Sequence, residues 1–151
     1  MKLETLRAED YKVLWQCGYY DGVLSGVMKK HSGEMLYFDC FIDECVVENE
    51  DQENEKIYHY RVYYLHKLTD EQKEILIARH NLWVEYSGNG SDWDYRWNPD
   101  KRTGKIIDWE NYYKEKEKLP EFPEFGLDSV VGYTTDDELY RSKRVNGQIK
   151  K

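Results

Sequence analysis

The sequence contains few cysteines, and none of them have the spacing of a metal or redox site. Cys17, Cys40 and Cys45 are an odd number without a CxxC pair, so they match neither a disulfide framework nor a zinc site. We therefore expect reduced thiols that are mostly buried. The four histidines likewise lack HExxH or comparable spacing, and the sequence predicts no metal, no cofactor and no catalytic residue.

Long hydrophobic runs are also missing. No segment approaches the length that crosses a bilayer, and the segment MKLETLRAEDYKVLW lacks the apolar run of a signal peptide. Basic residues are outnumbered, with 22 Lys and Arg against 30 Asp and Glu and a formal charge of −8, which opposes binding to nucleic-acid phosphates or anionic lipid. The sequence thus predicts a cytoplasmic protein that does not bind membranes, disfavours direct nucleic-acid binding and leaves the oligomeric state open.

Aromatic residues are abundant instead. They make up 15% of the 151 residues and include 14 Tyr and 5 Trp. Each large ring buries a large apolar area, so a chain of this length forms a core without disulfides. We expect a single domain over residues 1–151.

Alternating aromatic and polar residues in the first half predict strands. The patterns over residues 11–20, 23–30 and 35–42 are separated by turn sequences and indicate an antiparallel meander. Residues 57–68 are semi-apolar on both faces, as in a central strand, and residues 130–134 predict a late strand.

Helix signals follow in the second half. Thr69 and Gln72 match a capping box, which predicts a helix from residue 70 to about residue 86. A second short helix is predicted over residues 109–119, after a capping Asp108. The resulting fold class is α+β: an antiparallel sheet of four or more strands, with the main helix packed on one face and a second short helix.

The stretch GYYDGVLSG combines aromatic rings, a carboxylate and three glycines. Tyr19, Tyr20 and Asp21 are candidate ligand-binding residues, because the glycines allow a ligand to approach the backbone closely. The sequence favours the alternative that Asp21 and Gly22 only turn the chain.

The same stretch carries a resemblance to other proteins. Trp15, the YDGVLSG segment, a turn at Gly33 and Phe38 resemble an uncharacterised family of small bacterial and phage-borne proteins, in which a YDGxLSG segment precedes a β-hairpin. Val23 stands where that family usually has proline. The resemblance covers roughly the first third of the chain and implies no activity and no catalytic residue.

A second aromatic segment, WDYRW, places three rings on one face of a short strand. Such a row either stacks on bases, sugars or a proline-rich peptide, or packs into the core, and the sequence favours the core. Two cations follow it and would neutralise an anion in a pocket between GYYDG and YRWNPDKR. The candidate binding residues here are Trp93, Tyr95, Trp97, Lys101 and Arg102.

An acidic run separates the third and fourth predicted strands. Residues 44–56 carry six acids and few large apolar side chains, which predicts a solvated loop. The loop is a candidate surface for a basic partner, which it would bind by imitating nucleic-acid phosphates; the favoured alternative is a connection that aids solubility. The candidate interaction residues are Glu48, Glu50, Asp51, Glu53 and Glu55.

Three functions remain open after these patterns. The sequence favours a non-enzymatic binding protein of bacterial or phage origin that acts on another protein through exposed aromatics and carboxylates. The first alternative is a small-ligand or nucleotide-binding protein, with or without enzymatic activity, whose pocket lies between GYYDG and YRWNPDKR. The second is a phage inhibitor of host defence that uses an acidic surface.

Overall fold

The computed structural model describes residues 3–19, 23–48, 56–87 and 107–144. Within these residues, one seven-stranded sheet and three helices are present. The strands are β1 (Glu4–Thr5), β2 (Tyr11–Tyr19), β3 (Val23–Lys30), β4 (Met35–Glu48), β5 (Lys56–Lys67), β6 (Val130–Thr135) and β7 (Lys143–Arg144). The helices are α1 (Asp70–Ser87), α2 (Trp109–Glu117) and α3 (Asp136–Arg141), with short 3-10 turns over Ala8–Asp10 and Leu127–Ser129. The α+β class and the second short helix predicted from the sequence are confirmed.

The sheet is larger than predicted, and it is mixed. Its strand order is β1-β6-β5-β4-β3-β2-β7, and all neighbours from β6 to β2 are antiparallel. At the two edges, β1 pairs with β6 and β7 pairs with β2 in parallel, so the prediction of an antiparallel sheet is wrong there. β1 and β7 have two residues each, which is too short for an alternating pattern to be visible in the sequence.

Helix α1 begins where the capping box predicts. The Thr69 backbone N–H donates to the Gln72 side-chain oxygen at 2.9 Å, and the Gln72 N–H donates to the Thr69 hydroxyl at 3.1 Å. Leu76 and Ile77 are buried in one cluster with side chains of β2, β3 and β4, among them Tyr37, so the helix packs on one face of the sheet as predicted. None of the helices in the described residues combines the length and apolar character needed to span a bilayer.

A second core lies on the other face of the sheet. Phe38 and Tyr63 are fully buried there, together with Leu139 of α3. Strand β3 passes close to both neighbouring strands at Gly26, where an added Cβ would collide with the Trp15 carbonyl oxygen and the Phe38 ring. The last glycine of GYYDGVLSG is therefore required by packing.

Strands β4 and β5 continue beyond the strands that flank them. They pair with each other as far as Glu48 and Lys56. In contrast, β3 pairs with β4 no further than Asp39, and β6 pairs with β5 no further than Val62. We call residues 40–48 and 56–61 the arm: it is two-stranded over residues 43–48 and 56–61, whereas Cys40 and Ile42 face Tyr63 and Val62, which also pair with β6.

The arm corrects the prediction of a solvated loop over residues 44–56. Residues 44–48 and Lys56 are paired strand residues, and residues 49–55 lie outside the described part of the chain. The acidic composition of residues 44–48 gives no strand signal in the sequence. These residues form a strand because each pairs with a residue distant in the sequence, such as Val46 with Tyr58. Charged side chains are common on strands with open edges.

Candidate functional site

Most of the residues singled out from the sequence lie outside the described part of the chain. Strand β2 ends at Tyr19 and β4 ends at Glu48, and the side chains of these two residues are not among those described. Three described groups of residues nevertheless have the chemistry of a functional site: the arm, a hydrogen-bonded histidine and a cleft beside α1. The candidates outside the described residues, which stay predictions, are Tyr20, Asp21, Glu50, Asp51, Glu53, Glu55, Trp93, Tyr95, Trp97, Lys101 and Arg102.

The arm exposes two aromatic rings beside acidic side chains. Phe41 is 39% exposed and Tyr60 is 46% exposed. The Phe41 ring stacks on Tyr64, with the ring centroids 3.7 Å apart, and Asp43 and Glu44 are exposed on the same strand as Phe41. Rings next to carboxylates suit a partner surface that is both apolar and basic.

An ion pair joins the two strands of the arm. Asp43 lies directly opposite Arg61, and its carboxylate oxygens accept hydrogen bonds from Nε at 3.0 Å and from Nη2 at 3.4 Å. Burial of Arg61 acts to lower its pKa, but the hydrogen bond and charge of Asp43 outweigh burial, so the pKa of Arg61 is raised. Asp43 therefore has a structural role, whereas Glu44 forms no ion pair with any residue in the described ranges.

The three cysteines differ in accessibility. Cys45 is exposed on the arm, and Cys17 and Cys40 are half-buried, so the prediction of mostly buried thiols is wrong for Cys45. Burial raises the pKa of the Cys40 thiol, and its Sγ donates to the Ile42 carbonyl at 3.1 Å. Cys45 is consequently the thiol that a reagent reaches first.

A buried histidine at the base of the arm joins three segments. His66 of β5 is 2% exposed; its Nε2 lies 2.7 Å from Asp39 Oδ1 of β4, and its Nδ1 lies 2.8 Å from Ser129 Oγ. The rings of Tyr37 and Phe125 pack beside it. Ser129 also borders a cleft of about 400 Å³ next to the start of α1.

This Ser-His-Asp arrangement has the residue types of a hydrolase, but it lacks the oxyanion site at the serine. The Ser129 N–H donates to the Gly126 carbonyl at 3.3 Å, and the Val130 N–H donates to the Leu127 carbonyl. The Ser129 hydroxyl itself donates to the Gly126 carbonyl at 2.9 Å. The single hydroxyl proton of Ser129 cannot be donated to the Gly126 carbonyl and to His66 at the same time. The hydrogen bonds of Ser129 and His66 therefore attach the 3-10 turn to the sheet.

A third site is a cleft of about 270 Å³ between α1, α2 and the sheet. On one side, Trp15 of β2 stacks on His80 of α1, with centroids 4.1 Å apart and ring planes 7° apart. On another side, Trp83 of α1 packs edge to face against Tyr112 of α2 at 5.4 Å. Packing of these rings against one another holds the walls in place.

Two cations line the same cleft. The Arg79 Nη1 donates to the Pro120 carbonyl at 2.8 Å, and its guanidinium lies 6.0 Å from the centroid of the Phe122 ring. The Lys116 Nζ lies 5.6 Å from the centroid of the Tyr112 ring. Neither cation forms an ion pair with a carboxylate in the part of the chain that the structure describes.

The cleft is not visible in the sequence, because three separate elements contribute to it. The available signal is the grouping of Arg79, His80 and Trp83 within about one turn of α1, since residues three and four positions apart share a helix face. That spacing is common in core-facing helices, and only the approach of α2 and β2 turns it into a cleft.

Comparisons with known proteins do not assign the chain to a family. A scan against protein-family models, a search of curated proteins and a search of solved structures each find no significant match to the chain. Among residues 3–19, 23–48, 56–87 and 107–144, no group of three His, Cys, Asp or Glu side chains is placed to hold a metal ion. Function is therefore inferred from the geometry of the described sites.

Proposed function

We propose that the protein binds another protein through the arm, without catalysis. The observation that carries this proposal is the end of flanking strand pairing at Asp39 of β4 and Val62 of β5. Beyond these two residues, neither outer edge of the ribbon has a partner strand among the described residues. Such an edge presents backbone N–H and carbonyl groups to an approaching chain.

The side chains of the arm indicate which kind of partner fits. Phe41 and Tyr60 offer apolar ring area, as the centre of a protein interface often does. From Cys40 to Arg61 the sequence holds seven acids and two bases, so a basic surface is electrostatically complementary to this segment. The partner that we expect is a protein with Lys or Arg residues around an apolar patch.

Cys45 provides a position on the arm to which a photocrosslinker can be attached. Because Cys17 and Cys40 are half-buried and Cys45 is exposed, a benzophenone maleimide should label Cys45 first. Illumination of the labelled protein in a lysate of the source cells should then crosslink one specific protein, which mass spectrometry identifies. The crosslink should weaken in high salt, because salt screens the attraction between exposed charges.

Two matched charge variants test whether capture of the partner depends on charges of the arm or only on the net charge of the whole chain. Glu44→Gln with Glu48→Gln removes two charges from the arm, and Glu71→Gln with Glu74→Gln removes two charges from α1. We expect the arm variant to lose roughly tenfold in capture and the helix variant to keep it. Equal capture by the two variants, or no specific protein crosslinked to the wild type, would contradict the proposal.

A further inference from the structure

We infer that the cleft between α1, α2 and the sheet binds a small planar anion, namely an aromatic carboxylate with one or two rings. This site goes beyond the proposed protein contact. None of the described residues that line the cleft belongs to the arm, so failure of one proposal leaves the other intact.

The charge of the lining is the first observation. The nine described residues around the cleft include two cations, Arg79 and Lys116, and no carboxylate, although the chain has 30 acids and a net charge of −8. The acids Glu117 and Glu121 border a neighbouring depression, which shares Arg79, Lys116 and Phe122 with the cleft. Two cations in a partly enclosed cleft attract an anion, because low-dielectric walls reduce the screening by water.

Both cations keep donors for an incoming anion. Arg79 uses Nη1 for the Pro120 carbonyl at 2.8 Å, and a guanidinium has further N–H donors. The Lys116 Nζ lies 5.6 Å from the centroid of the Tyr112 ring, a cation–π distance that holds the ammonium at the cleft. A carboxylate in the cleft would accept charge-assisted hydrogen bonds from these groups.

The walls and the size of the cleft select a small flat ligand. Trp15 with His80 and Trp83 with Tyr112 form fixed ring pairs, and aromatic walls favour stacking or edge contacts with another ring. The volume of about 270 Å³ lies just below the range of about 300–1,000 Å³ that is usual for ligand pockets. This space suits one or two fused rings better than a whole nucleotide.

Isothermal titration calorimetry with three probes tests the ligand class. Indole-3-acetate has two fused rings and a carboxylate, indole-3-acetamide is its neutral counterpart, and tryptamine is a cation. We expect indole-3-acetate to bind at least about tenfold more tightly than the other two, since only its charge complements Arg79 and Lys116. Equal binding of the acetate and the amide, or no binding of any probe at millimolar concentration, would overturn the inference.

Two lysine variants on α2 test the location of the site. Lys116→Gln removes a cation that lines the cleft, whereas Lys114→Gln removes an equal charge that is paired with Glu110 at 3.3 Å outside it. Lys116→Gln should weaken indole-3-acetate binding about fivefold or more, and Lys114→Gln should change it less than about twofold. Equal effects would show that binding follows net charge alone and would reject the cleft.

Unfolding in urea checks that these variants are folded. Lys116 forms no ion pair in the described part of the chain, so Lys116→Gln should keep the midpoint of the wild type. If its midpoint falls, Lys116→Met replaces it in the titration, because Met keeps the aliphatic stem beside Tyr112. Wild-type affinity in a folded Lys116 variant would also reject the site.

Discussion

The two ends of the β4–β5 hairpin have similar residues and different surroundings. At the base, Phe38 and Tyr63 are fully buried, because β3 and β6 flank the hairpin and the helices contribute to the cores on both faces. On the arm, Phe41 and Tyr60 are 39% and 46% exposed. Aromatic residues in one hairpin thus build the core at one end and remain exposed at the other, and the neighbouring elements decide which.

Phe38→Ala should show the largest difference in stability between the base of the hairpin and the arm. The ring has no exposed surface and meets Tyr63 edge to face at 5.6 Å, so Phe38→Ala should cost about 3–5 kcal/mol of unfolding free energy. Phe41→Ala on the arm is the matched control and should cost about 1 kcal/mol or less, because the ring is 39% exposed. Urea denaturation measures both losses, and equal losses would mean that the arm is packed as tightly as the base.

Buried tyrosines of the sheet should make stability fall at alkaline pH. Burial raises the pKa of Tyr11 and of Tyr37 from 10.0 to about 12, and it also raises the pKa of Tyr63. The folded state therefore holds these phenolic protons more tightly than the unfolded state does. The stability is fully present below pH 10.0 and is lost as the pH rises through about 12, with roughly 2–3 kcal/mol for each of the first two rings.

Urea denaturation across this pH range, with tyrosinate absorbance as a second signal, measures the decline. Tyr11→Phe should make the decline shallower, although it also removes the hydrogen bond between Tyr11 and Thr134 Oγ1, which is 3.0 Å long. Phe41→Ala leaves the buried Tyr11, Tyr37 and Tyr63 in place, so it should keep the wild-type decline. A decline that Tyr11→Phe leaves unchanged would assign the alkaline sensitivity to other groups.

Signals confined to neighbouring residues predicted much of the fold. The hydroxyl of Thr69 and the side chain of Gln72 cap α1 as expected. Gly33 adopts a φ of 97° in the predicted turn between β3 and β4, a conformation that glycine accepts without strain. Such features need only three or four consecutive residues, and a single sequence is enough to reveal them.

Features that join distant residues could not be predicted in the same way. Asp39 and Ser129 reach His66 from 27 and 63 positions away, and the acidic segment of the arm forms a strand by pairing with β5. The charge of this acidic run predicts a solvated connection, with a partner surface as the less favoured alternative, and gives no indication of a strand. The cleft at Arg79 and Lys116 needs three elements to meet, so its chemistry is visible only in the fold.

Exchange of Asp43 for asparagine tests the arm alone and should have a smaller effect on stability than the changes at Phe38 and at the buried tyrosines. Asp43→Asn keeps the size of the side chain but removes the charge that faces Arg61 at 3.0 Å. The loss should be about 1–2 kcal/mol: solvent screens the Asp43 side chain, which is 45% exposed, but the Arg61 side chain is only 3% exposed and loses the charge of Asp43. Urea denaturation at low salt measures this loss, and added salt should reduce the difference from the wild type.

Glu44→Gln is the control for that exchange, because it removes an equal charge at the next residue. It should leave the unfolding free energy unchanged and weaken capture of the partner. A larger loss of stability with Glu44→Gln than with Asp43→Asn would reverse the two roles and make Glu44 a structural residue. Adjacent carboxylates on one strand thus divide into one that pairs across the arm and one that is exposed without an ion pair in the described residues, and stability and capture measured on the same two variants distinguish them.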